Sequence, residues 1–308
     1  MKQLRDKFRG ALLGAAVGDA LGAPFEGAHL ISPAELTRLR EEPGQLKYTD
    51  DTHMTLGLAQ SLVACRGFDG DHMASLFSSN YSAEPWRGYG AGPPRVFRLI
   101  DQGVPWYKAS SILFNGSGSY GNGAAMRVAP AGLMAYRDLE RVARLARQTG
   151  LITHSHELGL EGAVLQACAI AILIRHSPVS NPEPSSFLAL LKSYLNETVY
   201  LQKLEQVELL LPAAAREEVI TNLGNGIEAF KSVPTAVYAY LRHAGSFPDA
   251  VLYAISLGGD ADTIASMTGA LAGAHLGEES IPAVWRDGVE GAEQLCELAD
   301  ALLELVHA

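Results

Sequence analysis

The chain has 308 residues, and its 48% apolar composition is ample for a packed core. Its 34 acidic residues outnumber its 24 basic ones, and the net charge of -10 disfavours non-specific binding to nucleic acid or anionic lipid. The three cysteines, Cys65, Cys168 and Cys296, form neither a zinc motif nor a disulfide framework, which is typical of a reducing compartment.

The N-terminal segment MKQLRDKFRGALLGAAVGDALG has basic residues before an apolar run, as a signal peptide does. The run is short and Asp19 interrupts it, so a signal peptide is not favoured. The longest strongly apolar run, residues 162–174, is too short to cross a bilayer and predicts a core helix. We therefore expect a soluble, cytoplasmic protein that binds neither a membrane nor nucleic acid directly.

Apolar residues recur with helical spacing along most of the chain, whereas the alternation typical of strands is hard to find. The spacing predicts helices over 54–65, 138–149, 187–195, 214–223, 235–243, 247–257 and 291–306. Glycines within Ala/Leu-rich stretches favour close packing of helix on helix. The Pro/Ser-rich stretch 177–186 is predicted to be a surface loop, because similar helices flank it. The sequence thus predicts an all-α fold with one globular domain over residues 1–308.

Two acidic residues, Asp19 and Glu26, lie within and just after the N-terminal apolar run. Asp19 is most simply a carboxylate at a turn or helix end. Glu26 lies in GDALGAPFEGAHL, and a glutamate flanked by glycine and proline is usually just solvated.

Two further segments carry more carboxylates than their local structure requires. In YTDDTHMTLGLAQSLV, Thr49, Asp50, Asp51 and Thr52 all precede an apolar helix, although one of them is enough for an N-cap. In SLGGDADTIASMTGALAG a glycine turn leads to a helix that Asp262 or Thr263 is expected to cap, which leaves Asp260 without a purpose.

Adjacent carboxylates repel beside a buried helix start unless a cation compensates them. Oxygen ligands without nearby cysteine or paired histidine favour Mg²⁺, Mn²⁺ or Ca²⁺ over Zn²⁺. The residues alone leave two interpretations open: a metal site shared by both segments, or two helix caps with surplus acid.

A glycine-rich loop, FNGSGSYGNGAAMR, spans residues 114–127 and leads into a predicted helix start. Consecutive amides near a helix N-terminus can bind phosphate without lysine, and Phe114 and Tyr120 offer stacking faces for a base. The loop lacks the ending of a Walker loop and does not follow a strand, and a flexible surface loop remains the alternative. His154 and His156 precede the core helix, and they are more often capping or packing groups than zinc ligands.

These segments together resemble the ADP-ribosylglycohydrolase family, most closely its ADP-ribosylserine hydrolase branch. The resemblance spans nearly the whole chain through GALLGAAVGDALGAPFE, YTDDTHMTL, RGYGAG, FNGSGSYGNGAAMRVAP, THSHELG, GNGIEAFKSVPTA and SLGGDADTIASMTGALAGAHLG, in the family's order. Residues 177–223 show no clear match. The resemblance implies an all-α orthogonal helical bundle.

It also implies functions for individual residues. Two Mg²⁺ ions, for which Mn²⁺ could substitute, would be bound by Thr49, Asp50, Asp51, Asp260, Asp262 and Thr263. Glu26 corresponds to a mobile glutamate that gates the metal site and, with Asp51, takes part in catalysis. The substrate would contact Asp50, Phe114, Ser117, Gly118, Ser119, Tyr120, Gly121, Asn122, Gly123, His154 and Ile227; of these, residues 117–123 would hold the diphosphate, and Phe114 and Tyr120 would flank the adenine.

The implied reaction is hydrolysis at C1″ of the distal ribose of an ADP-ribosyl group, which releases ADP-ribose from its acceptor. O-linked substrates are favoured: ADP-ribosylserine, poly(ADP-ribose) or O-acetyl-ADP-ribose. Three alternatives remain at this stage: an arginine-type hydrolase, a protein that binds ADP-ribose without cleaving it, and a metal-dependent phosphohydrolase.

Overall fold

The computed structural model describes residues 1–211 and 213–307, and these residues form helices joined by turns and loops. In chain order, helices α1 to α18 span Lys2–Gly22, Pro33–Glu41, Asp50–Cys65, Gly70–Ala83, Gly92–Asp101, Trp106–Ala109, Gly123–Met126, Ala129–Met134, Leu139–Gly150, Glu157–Arg175, Pro184–Lys192, Thr198–Leu210, Arg216–Asn222, Ala229–Arg242, Phe247–Ser256, Ala261–Leu276, Ala283–Arg286 and Ala292–Leu305. Within the described residues there is no strand, only the isolated bridges Leu46–Val289 and Gly121–Glu228. The predicted all-α fold is confirmed; the predicted domain span includes Pro212 and Ala308, which lie outside the described residues.

Helices α1 and α16 pack antiparallel at unusually close range. Every fourth residue of α1 from Gly10 to Gly22 faces the backbone of α16, and an added Cβ at Gly14 would lie 2.2 Å from the carbonyl oxygen of Gly269. At Gly18 the same atom would lie 2.1 Å from the carbonyl oxygen of Ala265. Only glycine allows this approach, which confirms the packing predicted for the Ala/Gly stretches. As a result, the C-terminus of α1 lies against the N-terminus of α16.

Helix α10 is the central apolar helix. By length and composition alone it could cross a membrane, yet 83% of its most apolar window is buried inside the protein. The core helix predicted over 162–174 is therefore confirmed, with bounds extended to Glu157–Arg175.

Several predicted helix bounds differ from the structure, and prolines are involved in two of the differences. Helix α14 begins at Ala229 rather than at residue 235, because it continues through an internal Pro234. Helix α11 begins with Pro184, whose fixed φ suits a first helical position, and Glu183 caps it by accepting from the amides of Ser185 and Ser186 at 3.1 and 2.7 Å. The predicted loop 177–186 is therefore partly helical.

The helix expected after the glycine loop is broken in two. Helix α7 ends at Met126 and α8 begins at Ala129, with Arg127 and Val128 between them. Pro130 has no N–H group to donate to the carbonyl of Met126, so the helical ladder stops there.

Candidate active site

The two acidic segments meet at one cleft. Helix α3 begins at Asp50 and α16 begins at Ala261, and both N-termini open onto a cleft of about 320 Å³. Among the residues that line it are the following predicted ones: Glu26, Thr49, Asp50, Asp51, Phe114, Ser119, Gly121, Asn122, Gly123, His154, Ile227, Asp260, Asp262 and Thr263. Three predicted residues, Ser117, Gly118 and Tyr120, do not line it.

Asp19 holds the first acidic segment in place. It is fully buried in the last turn of α1, and its carboxylate accepts from the backbone amides and hydroxyls of both Thr49 and Thr52 at 2.6 to 3.1 Å. A carboxylate at this position satisfies amides that the start of α3 leaves without helical partners, and the positive end of the helix dipole stabilises its charge. The helix-end carboxylate expected from sequence thus caps a different helix, which local sequence could not show.

Backbone hydrogen bonds hold the second acidic segment. Gly258 and Gly259 have φ angles of +64° and +68°, which form the expected tight turn. The amide of Gly259 donates to the carbonyl of Ala28 at 2.8 Å, and the carbonyl of Gly259 accepts from Gly27 at 2.7 Å. This pairing places Glu26 beside the second segment, so that carboxylate oxygens of Glu26, Asp260 and Asp262 lie within 4.8 Å of one another.

The predicted caps of α16 are wrong. Asp260 occupies the N-cap position without a side-chain capping bond, and Asp262 and Thr263 lie inside the first turn. From inside that turn, Asp262 Oδ1 accepts from the backbone amide of Thr263 at 2.8 Å, whereas the side chain of Asp260 makes no capping bond. On α3 Thr49 is the N-cap residue, and its side chain accepts from the amide of Asp51 at 3.4 Å, in addition to the cap that Asp19 supplies from α1.

One direct hydrogen bond joins the two segments. Thr263 Oγ1 donates to Asp51 Oδ2 at 3.2 Å, while Asp51 Oδ1 is buried with no partner among the described residues. A buried carboxylate oxygen without a partner is destabilising, and a cation at this point would remove the penalty.

The electrostatics of the cleft also favour a bound cation. Burial, followed by repulsion from neighbouring carboxylates, raises the pKa of Asp50 to about 7 and that of Asp262 to about 8. Burial also raises the pKa of Asp260, to about 6, although a hydrogen bond from Asn122 opposes the rise. An acidic cluster of oxygen donors with raised pKa values fits a divalent metal ion; the donor set fixes neither the identity nor the number of ions.

The glycine loop contributes to both the cleft and its support. Asn122 Nδ2 donates to Asp260 Oδ2 and, at 3.0 Å, to Ser232 Oγ, while the backbone amide of Asn122 donates to Ile227 at 2.9 Å. The side chain of Asn122 therefore fixes the second acidic segment. Gly118 is buried with φ +72°, and an added Cβ there would lie 2.1 Å from Ser155 Oγ. The hydroxyl of exposed Ser117 donates to the carbonyl of Phe114 at 2.7 Å.

The two predicted aromatic contacts differ in position. Phe114 is 51% exposed and lines the cleft. Tyr120 packs outside it, with its ring 5.6 Å from His156 and 6.2 Å from Phe230. The structure thus brings one of the two aromatic side chains to the cleft.

The two histidines also have different environments. His154 lines the cleft but is buried, and burial, aided by the charge of Arg127, lowers its pKa to about 3. It is therefore a neutral hydrogen-bonding group, held by Thr153 Oγ1 at 2.8 Å. His156 is the N-cap of α10 and accepts from the amide of Leu158 at 3.1 Å, in agreement with the capping role favoured from sequence.

Sequence reasoning missed Arg127, a fully buried cation under the glycine loop. Its guanidinium donates to the carbonyl of Gly123 at 2.8 Å and to that of Thr149 at 3.2 Å, and burial lowers its pKa to about 9. An arginine within the small apolar run AAMRVAP was the signal that could have found it. The cleft wall at residues 88 and 90–93 was also missed, although RGYGAG had been noted as a segment.

Comparisons with known proteins identify the family. Residues 1–308 match the family model for ADP-ribosylglycohydrolase. The chain is 40% identical to ADP-ribosylhydrolase ARH3 of Mus musculus over 336 residues, which cover 96% of this chain and 90% of the relative. The corresponding protein of Homo sapiens is 38% identical, with 96% and 92% covered. A solved structure described as an ADP-ribosylglycohydrolase-related protein complex has a TM-score of 0.79 and 28% identity, covering 99% of this chain and 100% of that one.

Proposed function

Because the chain belongs to the ADP-ribosylglycohydrolase family, and is thus a glycosyl hydrolase, we propose that it hydrolyses O-linked ADP-ribosyl groups at C1″ and releases ADP-ribose. The observation that carries the proposal is the meeting of the two acidic segments at one cleft, where Asp51 Oδ1 has no partner among the described residues. The glycine loop extends from this acidic centre along the same cleft.

The proposed cofactor is Mg²⁺, as two ions, with Mn²⁺ as a substitute. The side chains that would hold it are Glu26, Thr49, Asp50, Asp51, Asp260, Asp262 and Thr263, all of which line the cleft. Bound divalent cations act as Lewis acids and orient hydroxyl groups, here those of the distal ribose.

The acidic side chains have different proposed roles. Asp51 is buried and is the proposed acceptor of the proton from the water that attacks C1″, because its Oδ1 has no hydrogen-bond partner among the described residues. Burial and the charges of Asp19 and Asp262 raise the pKa of Asp51, and bound divalent cations would lower it and so favour the ionised carboxylate. Glu26 is exposed at the mouth of the cleft and gates substrate entry.

The glycine loop is the proposed diphosphate site. The amides of Gly118 and Asn122 donate within the protein, to Leu113 and Ile227, whereas those of Ser119 and Gly123 donate to no described residue. Backbone amides attract an anion without adding a mobile charge, which suits a protein with a net charge of -10. Phe114, exposed beside the loop, would stack on the adenine.

The acceptor is proposed to be serine or another O-linked group rather than arginine. The support is the similarity to two proteins named ADP-ribosylhydrolase ARH3 and the loop segments FNGSGSYGNG and GNGIEAFKSVPTA.

Product analysis on defined linkages tests the proposal. Purified protein is incubated with serine-linked and arginine-linked ADP-ribosyl peptides, with Mg²⁺ and with EDTA. We expect free ADP-ribose from the serine-linked peptide, with Mg²⁺ only. Release from the arginine-linked peptide alone would contradict the O-linked preference. AMP or phosphate as product would favour a phosphohydrolase, and tight binding of ADP-ribose without turnover would favour a non-hydrolysing binding protein.

A further inference from the structure

Trp86 is an unusually exposed tryptophan. Its side chain is 72% exposed, whereas Trp285 is fully buried and Trp106 is partly buried against Phe68, with ring centroids 5.6 Å apart. A single exposed apolar residue needs no explanation by itself. Two further features of Trp86, its rigid support and its closeness in the chain to the cleft wall, point to a binding role.

The backbone beside Trp86 is firmly held. The next residue, Arg87, makes a bidentate pair with Glu290 at 2.7 and 2.9 Å and donates to Glu84 at 2.6 Å. Its guanidinium also donates to the carbonyl of Tyr48 at 3.2 Å and lies 4.0 Å from the centroid of the Tyr48 ring. A large ring on a fixed loop loses little conformational freedom on binding, which is the property of aromatic anchors at interfaces.

The loop that carries Trp86 runs along one wall of the cleft. At its start, an added Cβ at Gly88 would lie 3.8 Å from the Cβ of Thr49, at the acidic centre. At its end, an added Cβ at Gly92 would lie 3.8 Å from Leu113, the residue before Phe114. Trp86 does not itself line the cleft, but it precedes Gly88 by only two residues, so its backbone lies near the acidic end.

We propose that Trp86 binds the polypeptide that carries the ADP-ribosyl group and makes the enzyme prefer peptide acceptors over single amino acids. This inference rests on the proposed function. If the diphosphate and adenine occupy the glycine-loop end, C1″ lies at the acidic centre, and the acceptor leaves the cleft past Thr49. Trp86 offers an exposed apolar ring two residues before Gly88, near that end of the cleft, and this ring would pack against the acceptor backbone and side chains.

Kinetics on matched substrates test the inference. Each substrate carries the linkage that the enzyme cleaves, either on the free amino acid or within a peptide of about ten residues, a length that extends past the cleft. In Trp86→Ala we expect kcat/KM for the peptide to fall about tenfold, the loss typical of an aromatic anchor, and that for the amino acid to stay within about twofold. Trp86→Phe should restore part of the peptide preference. Leu209, whose side chain is 71% exposed, provides the matched surface control. Leu209→Ala should leave kcat/KM unchanged for both the peptide and the amino acid.

If kcat/KM of Trp86→Ala fell equally for the peptide and the amino acid, or fell for neither, the inference would be overturned. Hydrolysis of neither substrate by the unmodified protein would instead contradict the proposed function. In that case the inference is tested by acrylamide quenching of tryptophan fluorescence. The ADP-ribosyl peptide should reduce quenching in the unmodified protein but not in Trp86→Ala, and free ADP-ribose should have no such effect. Equal protection by free ADP-ribose would overturn the inference.

Discussion

The two acidic segments look alike in sequence but are supported differently. The first depends on one buried side chain from another helix, because the carboxylate of Asp19 accepts hydrogen bonds from the amides and hydroxyls of both Thr49 and Thr52. The second depends on a glycine turn paired with the backbone after Glu26, and on the amide of Asn122. Both depend on α1, which supplies Asp19 to one and packs against the helix of the other. The comparison shows that one cluster of carboxylates can be held by two different means. A buried charged side chain holds the first segment, and backbone hydrogen bonds together with one side-chain amide hold the second.

The largest expected effect comes from disturbing α1, the helix that supports both acidic segments. Gly18→Ala places a Cβ 2.1 Å from a backbone oxygen of α16, so the helices must move apart. We expect the free energy of unfolding to fall by about 3 kcal/mol. Gly90→Ala, where an added Cβ meets nothing within 4 Å, is the control and should change it by less than about 0.5 kcal/mol. Denaturant unfolding measures both; equal effects would contradict the close-packing account.

Removing the carboxylate of Asp19 should affect the first acidic segment alone. Asp19→Ala leaves buried amides and hydroxyls at the start of α3 without an acceptor, and relief of charge repulsion offsets part of the penalty. We expect a loss of about 2 kcal/mol in the free energy of unfolding. Asp69→Ala removes an ordinary local cap, which accepts from His72 at 2.9 Å, and should lose about 1 kcal/mol. A smaller loss for Asp19→Ala than for Asp69→Ala would show that Asp19 does not hold the segment.

Removing the side-chain amide of Asn122 should affect the second acidic segment. Asn122→Ala deprives buried Asp260 of its hydrogen bond, so the pKa of Asp260 should rise further. We expect a loss of about 1.5 kcal/mol in unfolding free energy, measured without metal at pH 7. Asn222→Ala is the control, because that amide donates to the carbonyl of Glu218 on an exposed helix. An unchanged pKa of Asp260, followed by carboxyl NMR, would contradict the role given to Asn122.

The sequence was sufficient for the fold class and for most of the acidic centre, because helical periodicity and surplus carboxylates are local signals. It failed where the determining contact is not local. Nothing in YTDDTHMTL shows that its cap comes from Asp19, and nothing in PWRGYG shows that Arg87 ties Trp86 to the cleft. Helix α14 was predicted to begin too late because Pro234 normally marks a boundary, whereas tertiary packing keeps it inside a helix.

A further expected effect, which requires no substitution, is a dependence of stability on pH in the metal-free protein. The folded pKa values of Asp260, Asp50 and Asp262 are raised to about 6, 7 and 8, above the ordinary value of 3.8. The native state therefore binds more protons than the unfolded chain between about pH 4 and pH 8, and stability falls as pH rises through this window.

We expect a slope of about 1.4 kcal/mol per pH unit for each proton that the native state holds in excess, measured by unfolding in EDTA. Mg²⁺ should remove most of the slope, and Asp262→Asn should reduce it without metal. Stability that rises with pH across this window in EDTA would contradict the raised pKa values.

The most direct test of the account is whether the two segments form one metal centre. Binding of Mg²⁺ is measured by calorimetry on the intact protein, Asp51→Asn, Asp262→Asn and the double variant. We predict that each single substitution lowers the affinity at least about tenfold, and that the double variant loses less than the sum of the two, because neighbouring ligands act together. Affinity unchanged in either single variant, or losses that simply add, would contradict a shared centre.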